Sequence, residues 1–169
     1  MLPAPFAVRD ARETDIDAIV AIYNATVPSR MVTADTEPVS VESRRPWFAE
    51  HSPSRHPLWV VEDEGAVVAW FSFQPFYRRA AYDATAEISV YVAESQRRRG
   101  IGRGLVEEAI DRAPKLGLKT LIAYVFGHNE PSLRLFEGLG FERWALLPGV
   151  TELDAVERDV VILGRRVSD

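Results

Sequence analysis

Residues 96–104 form a segment whose composition and position suit the binding of an anion. Its sequence is Gln-Arg-Arg-Arg-Gly-Ile-Gly-Arg-Gly, which is both basic and rich in glycine. The segment follows an alternating apolar stretch at 88–92 and precedes a helical pattern at 105–110, so a strand delivers it to the start of a helix. Unpaired backbone N–H groups at a helix start lie at the positive end of the helix dipole and bind phosphate. Arginines at that end are disfavoured unless an anion is bound, so the segment predicts a phosphate site.

Composition and charge restrict the classes of protein to which the chain can belong. It has 169 residues, 47% of them hydrophobic and 27% charged, which is typical of one folded domain spanning 1–169. The net charge of −5 argues against nucleic acid as a partner. The absence of cysteine excludes disulfides and thiolate chemistry, and the three histidines show no metal-ligand spacing, so no metal is expected. No secretory signal or membrane-spanning run is recognisable, which predicts a cytoplasmic protein without a membrane partner.

Hydrophobic periodicity, capping residues and turn signals divide the chain into strands and helices. The predicted strands cover 6–9, 58–62, 66–73, 84–92, 120–126, 142–147 and 156–163. The predicted helices run from a Thr14 cap to about Asn24, from a Ser40 cap to Ala49, over 101–116 and over 131–139. A long loop at 26–39 separates the first two helices, and Pro114 is expected to loosen the end of the third. This order indicates an α/β fold with a mixed sheet.

With its elements in this order, the chain resembles the GNAT superfamily of N-acetyltransferases over 8–163. The pattern Arg97-x-x-Gly100-x-Gly102 resembles the pyrophosphate motif of that superfamily, and it follows the expected strand. Within the superfamily the sequence is similar to the phosphinothricin N-acetyltransferase branch. The segments that carry this similarity are Ile22-Tyr23-Asn24, Thr36-Glu37-Pro38, Trp47-Phe48, Pro75-Phe76, Tyr82-x-x-Thr85-x-Glu87, Val90-Tyr91-Val92, Asn129-Glu130-Pro131-Ser132-x-Arg134-Leu135 and Leu139-Gly140-Phe141.

The resemblance implies a fold, a cosubstrate and an acceptor. The implied fold is α/β, with a mixed, mostly antiparallel central sheet of six to seven strands, a central splay and about four flanking helices. Acetyl-CoA is the implied cosubstrate. The implied acceptor is the primary amine of a small molecule, namely phosphinothricin, methionine sulfoximine or a similar amino acid. Members of the family are often dimers, and exposed tryptophans at Trp47, Trp59 or Trp144 would provide such a contact.

The resemblance also implies which residues hold acetyl-CoA. Backbone groups of Val90, Tyr91 and Val92 would pair with the pantetheine arm. Asn129 and Ser132 belong to the same set, although Asn129 is equally well placed to cap the helix that follows it. The pyrophosphate would lie on the segment formed by Arg97, Arg98, Arg99, Gly100, Ile101, Gly102, Arg103 and Gly104.

Two residues are implied to take part in the chemistry. Glu87 would be the general base, since an alkylammonium group with a pKa of about 10 must lose a proton before it attacks a thioester. In a strand, Glu87 shares a face with Ser89 and Tyr91, and the alternative is a solvated carboxylate on that face. Phe136 stands where many members of the superfamily carry a tyrosine as general acid. Either the thiolate leaves unaided, or Tyr124, Tyr91 or water assists it.

The acceptor is expected to contact the loop at 75–82. Its substrate-binding candidates are Tyr77, Arg78, Arg79 and Tyr82. The family typically has arginine at both 77 and 79, where a pair of arginines would hold a substrate carboxylate. Tyr77 departs from that pattern, Arg78 would compensate for it, and the alternative is that both arginines are solvated loop charges. The cofactor side therefore follows the family pattern, whereas the acceptor side departs from it.

Three other functions are compatible with parts of the sequence. A CoA-binding sensor with little turnover is favoured by Phe136 and opposed by Glu87. A protein N-terminal acetyltransferase needs an open groove, which the loop at 26–39 would close. A nucleotide-binding oxidoreductase is disfavoured because the third glycine of the Gly-x-Gly-x-x-Gly fingerprint comes one residue early and the acidic ribose ligand is missing.

Overall fold

The computed structural model describes residues 2–168, which fold around one seven-stranded sheet in the order β1-β2-β3-β4-β5-β7-β6. The strands are β1 (Ala7–Asp10), β2 (Leu58–Asp63), β3 (Ala66–Pro75), β4 (Thr85–Val92), β5 (Thr120–Phe126), β6 (Glu142–Leu153) and β7 (Val156–Arg166). The α-helices are α1 (Ile16–Asn24), α2 (Val41–Ala49), α3 (Ile101–Arg112) and α4 (Glu130–Glu137). Within residues 2–168, no helix combines the length and the apolar composition needed to cross a membrane.

The sheet is mixed because one pair of neighbouring strands is parallel. β4 and β5 run parallel and are joined by α3, whereas each of the other neighbouring pairs is antiparallel. The predicted α/β architecture, with six to seven mostly antiparallel strands and about four helices, is confirmed. The two strands of this parallel pair carry the predicted site residues Glu87, Val90, Tyr91, Val92 and Tyr124.

Two apolar clusters cover opposite faces of the sheet. Ile88 and Leu121 point from β4 and β5 into the larger cluster, where they meet Leu105 of α3. Trp70 of β3 lies in the smaller cluster, where it packs with Ile19 of α1. Alternate residues of a strand face opposite sides, so the larger cluster fixes which face of β4 carries Glu87.

The first helix begins later than the sequence predicts. A short 3₁₀ turn precedes it at Glu13–Asp15, so Thr14 is not its N-cap. Asp15 accepts hydrogen bonds from the Arg9 guanidinium at 2.7 and 2.9 Å and from the Arg12 N–H at 2.6 Å. These bonds, the Arg9 contact above all, lower the pKa of the Asp15 carboxyl and fix the entry into α1.

One tryptophan expected at the surface lies in the core. Trp59 is 2% exposed and stacks on Phe71 with ring centroids 5.7 Å apart, because both faces of β2 are covered. The prediction of an exposed Trp59 was therefore wrong. Trp47 is half-buried with its ring edge against Trp70, and Trp144 is 46% exposed.

The last two strands are longer than predicted. They extend to Leu153 and Arg166, and a shift in register between Leu147 and Thr151, which spans Pro148 and Gly149, lets β6 continue past these residues. The third helix ends at Arg112 and continues as a 3₁₀ turn that contains Pro114, as expected of a helix end loosened by proline.

Candidate active site

A cleft opens where β4 and β5 separate. The two strands are paired only from Thr85 and Thr120 to Glu87 and Ile122, and beyond these residues they diverge. The space within the cleft, including the part that is open to solvent, is about 400 Å³. Its lining comes from β4, β5, α4 and the 26–39 loop, namely Ile88, Ser89, Val90, Tyr91, Ala123, Tyr124, Val125, Asn129, Ser132, Phe136 and Val32. Because the strands diverge, backbone groups of β4 face the cleft rather than a neighbouring strand.

The glycine-rich segment follows β4 and leads into the start of α3. Gly100 is the N-cap of this helix and has a φ of +80°, a left-handed conformation that glycine adopts without strain. Arg98 is also left-handed, with a φ of +62°. The amides of the first helical turn, from Ile101 to Arg103, precede the first backbone hydrogen bond of the helix and point outward. This geometry suits a phosphate group.

The Gly104 amide does not belong to this anion site, although the sequence predicted that it would. Its N–H donates to the Gly100 carbonyl oxygen at 2.9 Å, so it is already engaged. A side chain at Gly104 would lie 2.9 Å from the Cα atom of Leu2. The glycine therefore allows the N-terminal segment to lie against α3.

The four arginines of the segment fall into two groups. Arg99 pairs with Asp63 at 3.2 Å and lies over the Phe6 ring, and Arg103 pairs with Glu107 at 2.9 Å. Among residues 2–168, neither Arg97 nor Arg98 forms an ion pair, and both are exposed. The sequence does not distinguish the four arginines. In the structure, Arg97 and Arg98 are the two whose charge remains available for a ligand.

Glu87 lies at the closed end of the cleft. It pairs with Gln74 of β3 and Ile122 of β5, and it points to the same face as Ser89 and Tyr91. Burial raises the pKa of the Glu87 carboxyl above its ordinary range. A carboxyl in that environment accepts a proton more readily than a solvated one, which is the property of a general base.

Tyr124 and Phe136 face the cleft from β5 and α4. Tyr124 is 41% exposed, and burial of its hydroxyl, with further contributions from Glu87 and Tyr77, raises its pKa. The hydroxyl is therefore protonated near neutral pH and can donate a hydrogen bond. Phe136 is 3% exposed and packs edge-on against Phe141 with ring centroids 5.1 Å apart, so it belongs to the core while its ring closes one wall.

Asn129 joins α4 to the 26–39 loop. Its Oδ1 accepts a hydrogen bond from the Ser132 N–H at 3.2 Å, which caps α4, and its Nδ2 donates to the Met31 carbonyl oxygen at 2.8 Å. Both functional groups of the side chain are thus engaged within the protein. The sequence predicted the cap but not the contact with the loop.

The 26–39 loop supplies a wall residue that was not among the predicted site residues. Val32 lines the cleft, and hydrogen bonds on either side hold the loop over it. Asn24 bonds both backbone groups of Val39, and Tyr23 donates to Asp35 at 2.5 Å. The length of the loop was the only signal for such a role, because no pattern in its sequence identifies Val32.

The acceptor candidates lie on the loop between β3 and β4. Tyr77 and Tyr82 are 56% and 41% exposed, and their ring centroids are 5.1 Å apart. Arg78 is paired with Glu50 of the α2 C-terminus at 2.7 Å. Arg79 is exposed and forms no ion pair with any residue between 2 and 168. The structure therefore leaves Arg79, rather than Arg78, available for an anionic substrate group.

No group of three or more histidine, aspartate or glutamate side chains among the described residues could hold a metal ion.

Comparisons with known proteins find acetyltransferases as relatives, both by sequence and by structure. The model of the acetyltransferase (GNAT) family matches residues 19–141. The chain is 54% identical over 162 residues to YwnH of Bacillus subtilis, provisionally named a phosphinothricin acetyltransferase, covering 95% of this chain and 99% of the relative. It is 32% identical over 145 residues to the L-methionine sulfoximine/L-methionine sulfone acetyltransferase of Pseudomonas aeruginosa, covering 85% and 84%. A solved GNAT phosphinothricin acetyltransferase of Sinorhizobium meliloti, in complex with AcCoA, matches with a TM-score of 0.89 and 29% identity, covering 95% and 88%.

Proposed function

This chain belongs to the acetyltransferase (GNAT) family, and from that premise we propose the reaction that its cleft performs. The protein is an acetyl-CoA-dependent N-acetyltransferase that acetylates the primary amine of a small molecule. The observation that supports this most directly is the separation of β4 and β5 beside a left-handed Gly100 at the start of α3. A diverging strand pair and a helix start together suit a ligand with an amide-containing arm and a pyrophosphate.

The cofactor side would hold acetyl-CoA, which supplies an acetyl thioester. The amides of Ile101, Gly102 and Arg103 would bind the pyrophosphate, and the Arg97 and Arg98 guanidinium groups would balance its charge. Backbone groups of Val90, Tyr91 and Val92 would bind the pantetheine arm along the open edge of β4. Ser132 and Asn129 would form the opposite wall, with Asn129 acting through the cap and the loop contact that it already makes.

The catalytic roles are assigned to groups at the closed end of the cleft. Glu87 takes a proton from the substrate ammonium, which frees the nitrogen lone pair for attack on the acetyl carbon. A β4 amide within 90–92 would stabilise the negative charge that develops on the acetyl oxygen. Tyr124 donates a proton or a hydrogen bond to the departing sulfur, a step for which Phe136 offers no group.

The acceptor is an amino-acid-like amine, as for the relatives named after phosphinothricin and methionine sulfoximine. Its carboxylate would meet Arg79, with Tyr77 and Tyr82 beside it. Arg78 is not assigned to the substrate, because Glu50 holds it.

The assembly is proposed to be a homodimer of single domains spanning 1–169. Four apolar side chains of β6 and β7 lie at the surface, namely Trp144, Leu146, Val150 and Val156. Trp144 and Leu146 are two residues apart on β6, and large apolar side chains exposed in this way are typical of an interface. Light scattering of the purified protein after gel filtration is expected to give twice the chain mass, and a monomer mass would contradict this proposal.

The reaction is tested by following CoA release with a thiol-reactive dye, which sees only product because the chain contains no cysteine. Wild-type protein is expected to release CoA when given acetyl-CoA with L-methionine sulfoximine, phosphinothricin or other amino acids. Glu87→Gln is expected to lower kcat about 10²-fold or more while the Kd for acetyl-CoA changes little. Because the raised pKa of Glu87 places the acidic fall of kcat/KM above the range of an ordinary glutamate, that fall should disappear in the variant.

Two outcomes of the same assay would redirect the function. If acetyl-CoA binds but no small amine releases CoA, the protein is better described as a CoA-binding sensor or as an acetyltransferase for protein N-termini. Peptides with free N-termini, added to the same assay, separate these two alternatives.

A further inference from the structure

Three aromatic side chains of the loop between β3 and β4 form an exposed surface, and Tyr124 of β5 lies close to it. Tyr77, Tyr82 and Tyr124 are 56%, 41% and 41% exposed, which makes them the three most exposed aromatic side chains besides Trp144 among the described residues. The ring centroid of Phe76 lies 4.6 Å from that of Tyr77 and 5.8 Å from that of Tyr82. Large rings that remain this accessible offer apolar area and ring edges to a ligand.

The strand register brings this surface next to Glu87. Gln74 pairs with Glu87, and the loop that carries the rings begins two residues later. Glu87 also pairs with Ile122, so Tyr124, two residues further along β5, points to the same face as Glu87. Glu87 and Tyr77 both contribute to the raised pKa of the Tyr124 hydroxyl, which is consistent with this proximity.

The charged side chains near these rings differ in whether they form an ion pair. Glu50 engages Arg78 at 2.7 Å, and Asp83 engages Arg55 at 3.0 Å. Arg79 is the cation of this loop that has no ion pair among residues 2–168. The surroundings of Glu87 therefore offer one base, one available cation and a surface of rings.

We propose that the preferred acceptor is an α-amino acid with an aromatic side chain. Its amine would lie at Glu87, its carboxylate at Arg79, and its ring against Tyr77 and Tyr82. Offset or edge-on contact between rings adds to the burial of apolar area, so the aromatic side chain should bind better than a polar one of similar length. This inference rests on the proposed N-acetyltransferase activity and specifies its substrate class.

The wild-type test compares four amines in the CoA-release assay with acetyl-CoA. We expect kcat/KM for L-phenylalanine and L-tryptophan to exceed that for L-methionine sulfoximine by about tenfold. We expect 2-phenylethylamine, which has the ring and the amine but lacks the carboxylate, to fall about tenfold below L-phenylalanine. If L-methionine sulfoximine is the better substrate, this inference is overturned while the acetyltransferase activity stands. If no amine releases CoA, the proposed function itself fails.

Variants of Tyr77 show whether its ring is responsible for the preference for aromatic acceptors. Tyr77→Ala is expected to lower kcat/KM for both substrates, and the loss for L-phenylalanine should exceed that for L-methionine sulfoximine by about fivefold. Tyr77→Phe retains the ring and should retain the preference for L-phenylalanine. Tyr77 is more than half exposed, so both variants should unfold at the wild-type temperature, which a thermal scan verifies. An equal loss for both substrates in Tyr77→Ala would overturn the role of the ring.

Discussion

The two sides of Glu87 are built from different parts of the protein. On the cofactor side, one continuous stretch supplies the open edge of β4, the left-handed Gly100 and the amides at the start of α3. On the proposed acceptor side, Tyr77 and Arg79 come from the β3–β4 loop and Tyr124 comes from β5, and the groups expected to meet the substrate are side chains. The proposed cofactor site is therefore formed mainly by backbone groups, whereas the proposed acceptor site is formed mainly by side chains.

This difference predicts how each side responds to substitution. A backbone site is damaged by residues that change φ or fill the space above the amides, and it tolerates changes in most side chains. A side-chain site changes its specificity when one contact is removed, and its scaffold remains intact. The cofactor side should therefore show losses of binding, and the acceptor side should show exchanges of substrate.

The largest expected effect is on the cofactor side. Gly100→Asp places a carboxylate beside the proposed pyrophosphate site and should raise the Kd for acetyl-CoA about 100-fold, as repulsion between like charges at a few ångströms implies. Aspartate tolerates a left-handed φ better than most residues, so the fold should survive. Titration calorimetry with acetyl-CoA measures the change.

Gly65 provides the matched control. Its φ is +85°, close to that of Gly100, and its Cβ position has no heavy atom within 4 Å. Gly65→Asp shares the backbone strain and the added charge but lies in the β2–β3 turn. It should bind acetyl-CoA like wild type. If both variants lose affinity equally, or neither does, the start of α3 is not the anion site.

A smaller and different effect is expected on the acceptor side. Arg79→Ala should raise KM for amino-acid acceptors about tenfold, the loss expected for one charged hydrogen bond, and leave the Kd for acetyl-CoA unchanged. Arg78→Ala is the matched control, because Glu50 already holds that side chain. Steady-state kinetics with L-phenylalanine distinguish the two, and a larger loss in Arg78→Ala would reverse the assignment.

The same division explains how much of the molecule could be predicted from its sequence. The strand, glycine loop and helix of the cofactor side are local patterns, and the structure has them at the predicted positions. Ser40 also caps α2 as its position before the helix predicts, by accepting from the Ser43 N–H. Features set by a few consecutive residues were therefore predicted well.

Features that depend on tertiary contacts were not predicted from the sequence. The engagement of Arg99 by Asp63 and the use of the Gly104 amide within α3 depend on folded geometry, which spacing does not reveal. Trp59 is buried because other parts of the chain cover both faces of β2. The pattern of apolar residues within β2 does not reveal that covering. Val32 reaches the cleft only through hydrogen bonds between distant segments.

Asn129 connects the two sides and gives an intermediate effect. Asn129→Ala removes both the cap of α4 and the bond to Met31, and it should lower the free energy of unfolding by about 1–2 kcal/mol. Asn129→Asp keeps an oxygen for the Ser132 N–H but loses the donor to Met31. We expect Asn129→Asp to lose less stability than Asn129→Ala, and to raise KM for both substrates because the loop that carries Val32 is released. Thermal unfolding and kinetics of the pair test this, and equal losses in both measurements would contradict separate roles for the two atoms.

The smallest expected effect distinguishes a carboxyl kept for chemistry from one kept for structure. Burial raises the pKa of Glu87, so the folded protein is destabilised when pH rises and the group ionises. Glu87→Gln should therefore raise Tm by a few degrees at pH 7 and have little effect at pH 4, where Glu87 is protonated. The pKa of Asp15 is lowered by Arg9, so its contribution to stability is present at pH 7 and is lost as pH falls through that pKa. Asp15→Asn should accordingly lower Tm at pH 7, the opposite sign. A fall in Tm for Glu87→Gln at pH 7 would mean that Glu87 serves the fold, and its assignment as the base would lose its support.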